Sequence, residues 1–390
     1  MKKLSLLAAA LLLLTACGTS DDDASGAESF DVLVIAGTTG AAATFAKNVA
    51  KAITYQGDKL NEEGGIDGRD VRVTVADSAG DPTKAVSQLQ ERLTGGDAPD
   101  LVYAGISSAE TLAMLPVLTR EKVLSIAATN NAAINDPDAY PYHFGIAPTA
   151  ANQLSTVGTK LEELDVEKLA VLTSDDVFGE GTRDGIEQAL EEMPDVEADY
   201  FTYQIADVNY STAYQRAVNN DPDAIFMDGN GDAVGRLLSA RQDIAPEIPA
   251  LGGLGFSSVA PGSVVQPEAL EGFESVVYQS TEHRGTDERP DSLNEFLDAM
   301  DFGTEFSAFN PMLGADSLSA VALAVDQAGS ADTEDVADAL ESLEAPPTTD
   351  HFLSVPSLTY SETDHFAQLP AEAYLWITPS TLEDGLWLTK

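Results

Sequence analysis

Phe30-Asp31-Val32-Leu33-Val34-Ile35-Ala36 runs directly into Gly37-Thr38-Thr39-Gly40-Ala41-Ala42-Ala43. The first seven residues form a β-branched apolar run that reads as a buried strand. The next stretch is a small-residue loop. From Ala43 the apolar residues Phe45, Val49, Ala52, Ile53 and Leu60 recur at helical spacing, and Gly64-Gly65 stops them. The same unit repeats outward along the chain. Strands are expected at Val71–Ala76, Leu101–Ala104 and Lys122–Ile126, with helices at about Lys84–Leu93 and Thr111–Thr119 between them. Alternating strands and helices with short loops argue for a parallel sheet covered by helices on both faces. Ligands in such sheets sit outside the C-terminal ends of the strands.

Near residue 147 the pattern restarts. Leu154, Val157, Leu161 and Leu164 mark a helix. Strands are expected at Leu169–Thr173, Glu197–Tyr203, Ala224–Met227 and Ile248–Leu251, with helices between. Two successive α/β units imply two similar lobes. Beyond them, Gly272–Gln279 reads as a crossover segment, and helices are expected at 291–300, 315–328 and 333–343. The last strands are expected at Ser357–Tyr360 and Ala373–Ile377.

Composition narrows the function. The 390 residues carry 65 Asp+Glu against 20 Lys+Arg, a formal net charge of −45. Nucleic acid is a poor partner for that surface, since phosphate recognition needs clustered Lys and Arg. Such acidity suits solubility in high salt. One Cys excludes a disulfide framework and a Cys-based metal site, and four scattered His argue against a His-rich metal centre. No cofactor is expected.

That one Cys has a particular place. Lys2 and Lys3 precede an apolar run from Leu4 to Leu14, too short to span a bilayer but suited to a signal peptide. Leu14-Thr15-Ala16-Cys17 follows and resembles a bacterial lipobox, which implies lipidation of Cys17 after removal of residues 1–16. Residues 17–29 are small and acidic, and read as a flexible tether. The expected location is the outer face of the cell membrane, held there by acyl chains.

Five further strings resemble one family. Glu62-Glu63-Gly64-Gly65-Ile66-Asp67-Gly68-Arg69 looks like the N-x-x-G-G-I-x-G-R turn of type I periplasmic binding proteins. Asp77-Ser78-Ala79-Gly80-Asp81-Pro82 resembles that family's D-x-x-x-D-P loop. Gly105-Ile106-Ser107-Ser108 and Ala127-Ala128-Thr129-Asn130 resemble its two ligand loops. Asp175-Asp176-Val177-Phe178-Gly179-Glu180-Gly181 is similar to its D-D-x-Y-G-x-G segment. The nearest branch is the leucine/isoleucine/valine-binding group of ABC importers. The resemblance implies two doubly wound parallel-sheet lobes joined by a three-segment hinge that closes on a ligand. Lobe 1 would take 30–147 and 277–355, and lobe 2 would take 148–276 and 356–390.

The resemblance also implies the ligand residues. Ser107 and Ser108 would offer hydroxyls and helix-start N–H groups to a carboxylate; the alternative is that they only cap the helix. Ala127, Ala128 and Thr129 would present backbone groups and a hydroxyl, or form a bland loop. Phe178 stands where the family has Tyr and would lie over the ligand. Asn230 replaces a stacking Tyr, and Phe45 is near the family's aromatic lid. Asp228-Gly229-Asn230-Gly231-Asp232 superficially resembles a calcium loop, but its twelfth position is Ser239 rather than a bidentate Glu.

Leu254 falls where amino-acid binders carry an acidic residue for the ligand ammonium. A desolvated ammonium without a carboxylate partner is costly. Asp228 or Asp232 is a candidate substitute.

The sequence thus reads as a monomeric solute-binding lipoprotein that delivers a small polar solute, an amino acid first, to an ABC permease. Amides, urea or carboxylates are the alternative ligands. The alternative role is a sensing module for a membrane receptor. An enzyme is not expected: no G-x-S-x-G, H-E-x-x-H or P-loop is present.

Overall fold

The computed structural model describes residues 29–39, 43–96, 98–304, 306–343, 352–355 and 358–388. Cys17, the leader and nearly all of the tether lie outside the described residues.

The first sheet is built from β1 (Phe30–Ala36), β2 (Val71–Asp77), β3 (Leu101–Ala104), β4 (Leu124–Ala127) and β5 (His143–Gly145). Their order is β2-β1-β3-β4-β5, and every pairing is parallel. Helices α1 (Ala43–Glu62), α2 (Pro82–Thr94) and α3 (Ser108–Glu121) connect them. The strand order reverses between β1 and β3, which opens a crevice at their C-terminal ends. The loops after β1 and β3 border it.

The second unit runs through α4 (Ala150–Gln153), α5 (Val157–Glu163), β6 (Lys168–Ser174), α6 (Val177–Leu190), β7 (Glu197–Tyr203), α7 (Ser211–Val218), β8 (Ala224–Met227), α8 (Asp232–Ile244), β9 (Ala250–Gly252), α9 (Pro261–Val264) and β10 (Phe273–Tyr278). Then come α10 (Asp291–Met300), α11 (Phe309–Ala328), α12 (Thr333–Glu341), β11 (Tyr374–Ile377) and the small hairpin β12 (Leu382–Glu383) and β13 (Leu386–Trp387). The second sheet has the order β11-β10-β9-β8-β6-β7, parallel except where β11 runs against β10. Its reversal lies between β6 and β8. The protein therefore has the expected α/β class, with two mostly parallel sheets.

Several expected elements differ. Gly272–Gln279 is not a free crossover: Phe273–Tyr278 pairs with β9 and β11, and its residues, buried on both faces, suit a central strand. Leu358–Tyr360 is not a strand, and Ser357 lies outside the described residues. Strand β5 has only three residues, too few to show a period. The single helix expected around Leu154–Leu164 is two, α4 and α5, broken at Leu154–Thr156. The segment after residue 356 packs near the first sheet before it reaches the second. Leu358, Tyr360, Ala367 and Leu369 pack in the apolar core that contains Phe30 and Val34, and Phe366 bridges to Gly145 beside β5. Only from Tyr374 does this segment join the second sheet.

Two of the family-like strings are explained by local geometry. In Gly64–Arg69 the backbone closes on itself, with Ile66 and Arg69 exchanging two 3.0 Å hydrogen bonds. Asp67 and Gly68 both have positive φ there, and a Cβ on Gly65 would lie 2.0 Å from the Arg69 carbonyl oxygen. In Asp77–Pro82, Asp81 caps α2 by accepting from Thr83 and Lys84 N–H, and Pro82 follows at the first turn. Asp77 accepts from the Thr39 hydroxyl (2.7 Å) and from Ala79 N–H (2.9 Å), tying the loop after β1 to the loop after β2. Those hydrogen bonds, from Thr39 first, hold its carboxyl well below the usual range.

The rear of the second lobe is knitted by Arg241, which is fully buried. Its guanidinium donates to the carbonyls of Ala269 (3.1 Å), Pro246 (2.8 Å), Ile248 (3.2 Å) and Glu271 (2.7 Å). Arg241→Met keeps the stem but strands those carbonyls. Each buried unsatisfied group costs about 1–3 kcal/mol, so a urea titration should show a loss of about 3 kcal/mol or more, with an unchanged m-value.

Candidate functional site

The loops at the C-terminal strand ends carry the polar groups from which a site can be made. In the first lobe Gly105–Ser107 joins β3 to α3. Ser107 is exposed and caps the helix: its Oγ accepts from Glu110 N–H (3.3 Å) and donates to Glu110 Oε2 (3.0 Å). Glu110 is fully buried, and its other oxygen accepts from the Ser78 hydroxyl. The Ser107 hydroxyl is thus committed to capping. Ser108 is buried in the first turn at 6% exposure.

The loop after β4 differs. Ala127 is buried, and its carbonyl accepts from Ile146 N–H (3.0 Å). Ala128 is half-buried. Thr129 is 3% exposed, and its Oγ1 has no hydrogen-bond partner. A buried hydroxyl left unpaired costs about 1–3 kcal/mol, so Thr129 is the loop's clearest invitation to a ligand atom. Asn130 then turns the chain, accepting from Ala150 N–H (2.9 Å) and donating to Gln153 Oε1 (3.1 Å).

In the second lobe Asp176 caps α6, accepting from Gly179 N–H (3.1 Å) and from the Ser174 hydroxyl (2.5 Å). Phe178 follows, half-buried. Gly179 is required by packing: a Cβ would lie 1.9 Å from the Ser174 carbonyl oxygen.

Asp228 closes this mouth and is 4% exposed. It accepts from the Thr182 hydroxyl (2.9 Å) and Gly229 N–H (2.9 Å), while its own carbonyl accepts from the Tyr203 hydroxyl (2.9 Å). Burial pushes its carboxyl up to about 6, against the hydrogen bonds from Thr182, Gly229 and Gly255. Asp228 is therefore spent on the protein itself and is not free for an ammonium. Asp232 is mostly exposed and faces Arg236 at 3.5 Å.

Asn230 is exposed. Leu254 is 5% exposed and shares an apolar core with Phe309 and Tyr278, away from an open wall. Phe45 is half-buried at the start of α1 against the same core. Two hollows in the surface lie elsewhere. One of about 180 Å³ is lined by Gln279, Arg289, Leu293 and Phe352, and one of about 310 Å³ by Thr156, Lys160 and Trp376.

A Ser–His pair escaped the sequence reading because the strand β5 that carries it was missed. Ser125 Oγ lies 2.9 Å from His143 Nδ1, on directly paired residues of β4 and β5. Both are at most 2% exposed, and His143 Nε2 has no partner. Burial lowers the His143 pKa to about 3, so the ring is a poor base. No substrate reaches this pair. Among the described residues, no group of three or more His, Cys, Asp or Glu is placed to hold a metal ion. No described helix is long and apolar enough to cross a membrane.

This architecture is matched among known proteins. The family model for periplasmic binding proteins matches residues 30–374, and the chain belongs to that family. A Leu/Ile/Val-binding protein, BraC3 of Rhizobium johnstonii, is 24% identical over 365 residues, covering 88% of this chain and 90% of that protein. The branched-chain amino acid transporter substrate-binding protein LivJ of Streptococcus pneumoniae, solved with isoleucine, superposes with a TM-score of 0.69 at 19% identity, covering 92% of this chain and 98% of that one. A solute-binding protein of an ABC transporter from Rhodopseudomonas palustris, solved with 3,4-dihydroxybenzoic acid, superposes with a TM-score of 0.71 at 18% identity, covering 91% and 96%. The fold is the type I periplasmic binding protein fold, and the chain is a solute-binding protein of that kind.

The Asp228 carboxyl makes a pH prediction. A carboxyl whose pKa is raised by folding binds its proton more tightly in the native state. Its burial costs nothing below the unfolded value near 3.8, and the cost grows until pH passes about 6. Asp228→Asn removes that term. Relative to the parent, the variant should gain about 2 kcal/mol in unfolding free energy between about pH 4.5 and about pH 7. Denaturant titrations at the two pH values measure it, and a constant difference would contradict it.

Proposed function

We propose that this chain is the extracytoplasmic binding lipoprotein of an ABC importer, and that its ligand is a small organic carboxylate with an apolar or aromatic body. The lobes are set at about 30–147 with 279–373, and at about 148–278 with 374–377. The ligand would lie between the loop Ala127–Thr129 and the start of α6, with the partnerless Thr129 hydroxyl and the first turn of α3 toward its carboxylate. Ser108, Phe178, Asn230 and Phe45 complete the proposed wall. Ser107 contributes through the helix cap rather than by contact.

The observation that carries the ligand class is the commitment of Asp176, Asp228 and Asp232, together with the apolar Leu254, at the second lobe's mouth. Asp176 caps a helix, Asp228 is buried under three donors, Asp232 faces Arg236, and Leu254 is apolar and packed. An amino acid would bring an ammonium that none of these committed groups is free to meet. The second reading is a branched-chain amino acid, favoured by the name of the relative BraC3 and by the isoleucine in LivJ. The chemical work is conformational: closure on the ligand presents a surface that a permease distinguishes from the open form.

A thermal-shift screen decides between the two. A ligand at 100 times its Kd adds about 2.7 kcal/mol, enough to move the midpoint by about 2 °C or more. Benzoate and 3,4-dihydroxybenzoate should shift the midpoint, and leucine and isoleucine should not; the reverse would establish the amino-acid reading. Thr129→Val should raise the stability of the ligand-free protein by about 1 kcal/mol, by removing an unpaired buried hydroxyl, while weakening the bound acid about tenfold.

Anchoring is tested separately. Expressed in a bacterial host with labelled palmitate, the parent should partition with membranes and carry label. Cys17→Ser should lose both.

A further inference from the structure

Asn131 lies two residues beyond Thr129 on the loop after β4, in the first lobe. It is 5% exposed. Its Oδ1 accepts from Ala133 N–H (2.9 Å), which caps the short turn Ala132–Ile134. Its Nδ2 donates to the Val177 carbonyl at 2.7 Å. Val177 opens α6, the helix after β6 in the second lobe, and immediately precedes Phe178.

That carbonyl is also the ordinary acceptor for Gly181 N–H one turn on. A Cβ at Gly181 would lie 3.0 Å from Asn131 Nδ2. The helix therefore leaves room for this amide at one position, and a glycine fills it. Gly181 has no positive φ to accommodate, so close approach is what the missing side chain serves.

We propose that Asn131, seated against Gly181, is the positioning residue that sets the register of the two walls of the binding site. One side-chain amide links the loop that carries Thr129 to the helix turn that carries Phe178. The bond would fix their separation and rotation where a ligand would be gripped. The inference rests on the reading of Thr129 and Phe178 as ligand residues, but the link between the lobes can be measured without a ligand.

The test uses Asn131→Asp, which keeps the acceptor for Ala133 N–H and turns the donor to the Val177 carbonyl into a second acceptor that repels it. A local capping role would survive it, and an interlobe link would not. Dye pairs on Ser87→Cys in α2 and Ser239→Cys in α8, in the full chain with Cys17→Ser, report the distance between lobes. Both positions are exposed. The expected result is a broader and longer distance distribution for Asn131→Asp than for its parent. Gly181→Ala, which pushes the amide away from its acceptor, should give the same change.

Dissociation of 3,4-dihydroxybenzoate or isoleucine, whichever binds the parent, should be about three- to tenfold faster in both variants. Unchanged distances in both variants would overturn the proposal, whatever the ligand does. If neither probe binds the parent while the distances change, the link stands and the ligand reading falls.

Discussion

The Asp228 carboxylate sits where three pieces of the second lobe must meet: the end of β8, the second turn of α6 and the loop after β9. Thr182 reaches it from α6, and a Cβ on Gly253 would stand 2.5 Å from its Cγ. No backbone group could hold all three at once, because each strand end spends its ladder positions on its neighbours. A short side chain with two acceptor oxygens can. The cost is desolvation, and the raised pKa reports it. The mouth of the lobe depends on that trade, and so does the proposed ligand class, since a carboxylate used as a structural acceptor cannot also neutralise a ligand's ammonium.

The same solution recurs through a chain that has few cations to spare. Buried Glu110 takes the hydroxyls of Ser78 and Ser107. Buried Asp316 takes Leu353 N–H, Ser354 N–H and the Ser354 hydroxyl, strapping 352–355 to α11; burial raises its pKa to about 7. Neither shows an Arg or Lys partner among the described residues. Buried Arg241 mirrors them, its two terminal nitrogens donating to carbonyls rather than carboxylates. At these three residues interior charge is handled by neutral hydrogen-bonding groups, whereas buried Asp31 takes Arg72 and Arg92. The Lys and Arg residues are left largely to surface pairs such as Lys122–Glu334, whose contribution is small.

Much of this fold was legible because periodicity is a local property. The run Phe30–Ala36 and the spacing of Phe45, Val49 and Ile53 report one buried strand and one buried helix face, whatever packs on them. The elements missed are those whose identity is settled by neighbours. His143–Gly145 is too short for a period and becomes a strand by pairing with β4. Phe273–Tyr278 joins a sheet because β9 and a strand a hundred residues later flank it. Leu358–Leu369 packs near the first sheet because Phe366 has Gly145 to lie against, where a Cβ would stand 2.6 Å away.

The site was legible in its addresses but not in its employments. Strand-end loops at Ser107, Ala127 and Asp228 could be placed from the α/β rhythm alone, since the rhythm dictates which ends of the strands point together. What each polar atom does there could not. Ser107 and Asp228 are both polar residues at a strand end, as Thr129 is, yet Glu110 one turn on consumes the first, Thr182 from α6 consumes the second, and the third is left. Between Asp228 and Thr129 the distinction lies in hydrogen-bond accounting across the fold, which no spacing encodes. Glycine is the partial exception. Gly179 and Gly181 were conspicuous in the string D-D-V-F-G-E-G, and each marks a place where another chain segment comes too close for a Cβ: the Ser174 carbonyl for one, the Asn131 amide for the other. A glycine spacing can therefore announce a contact in advance, although only the folded chain says with what.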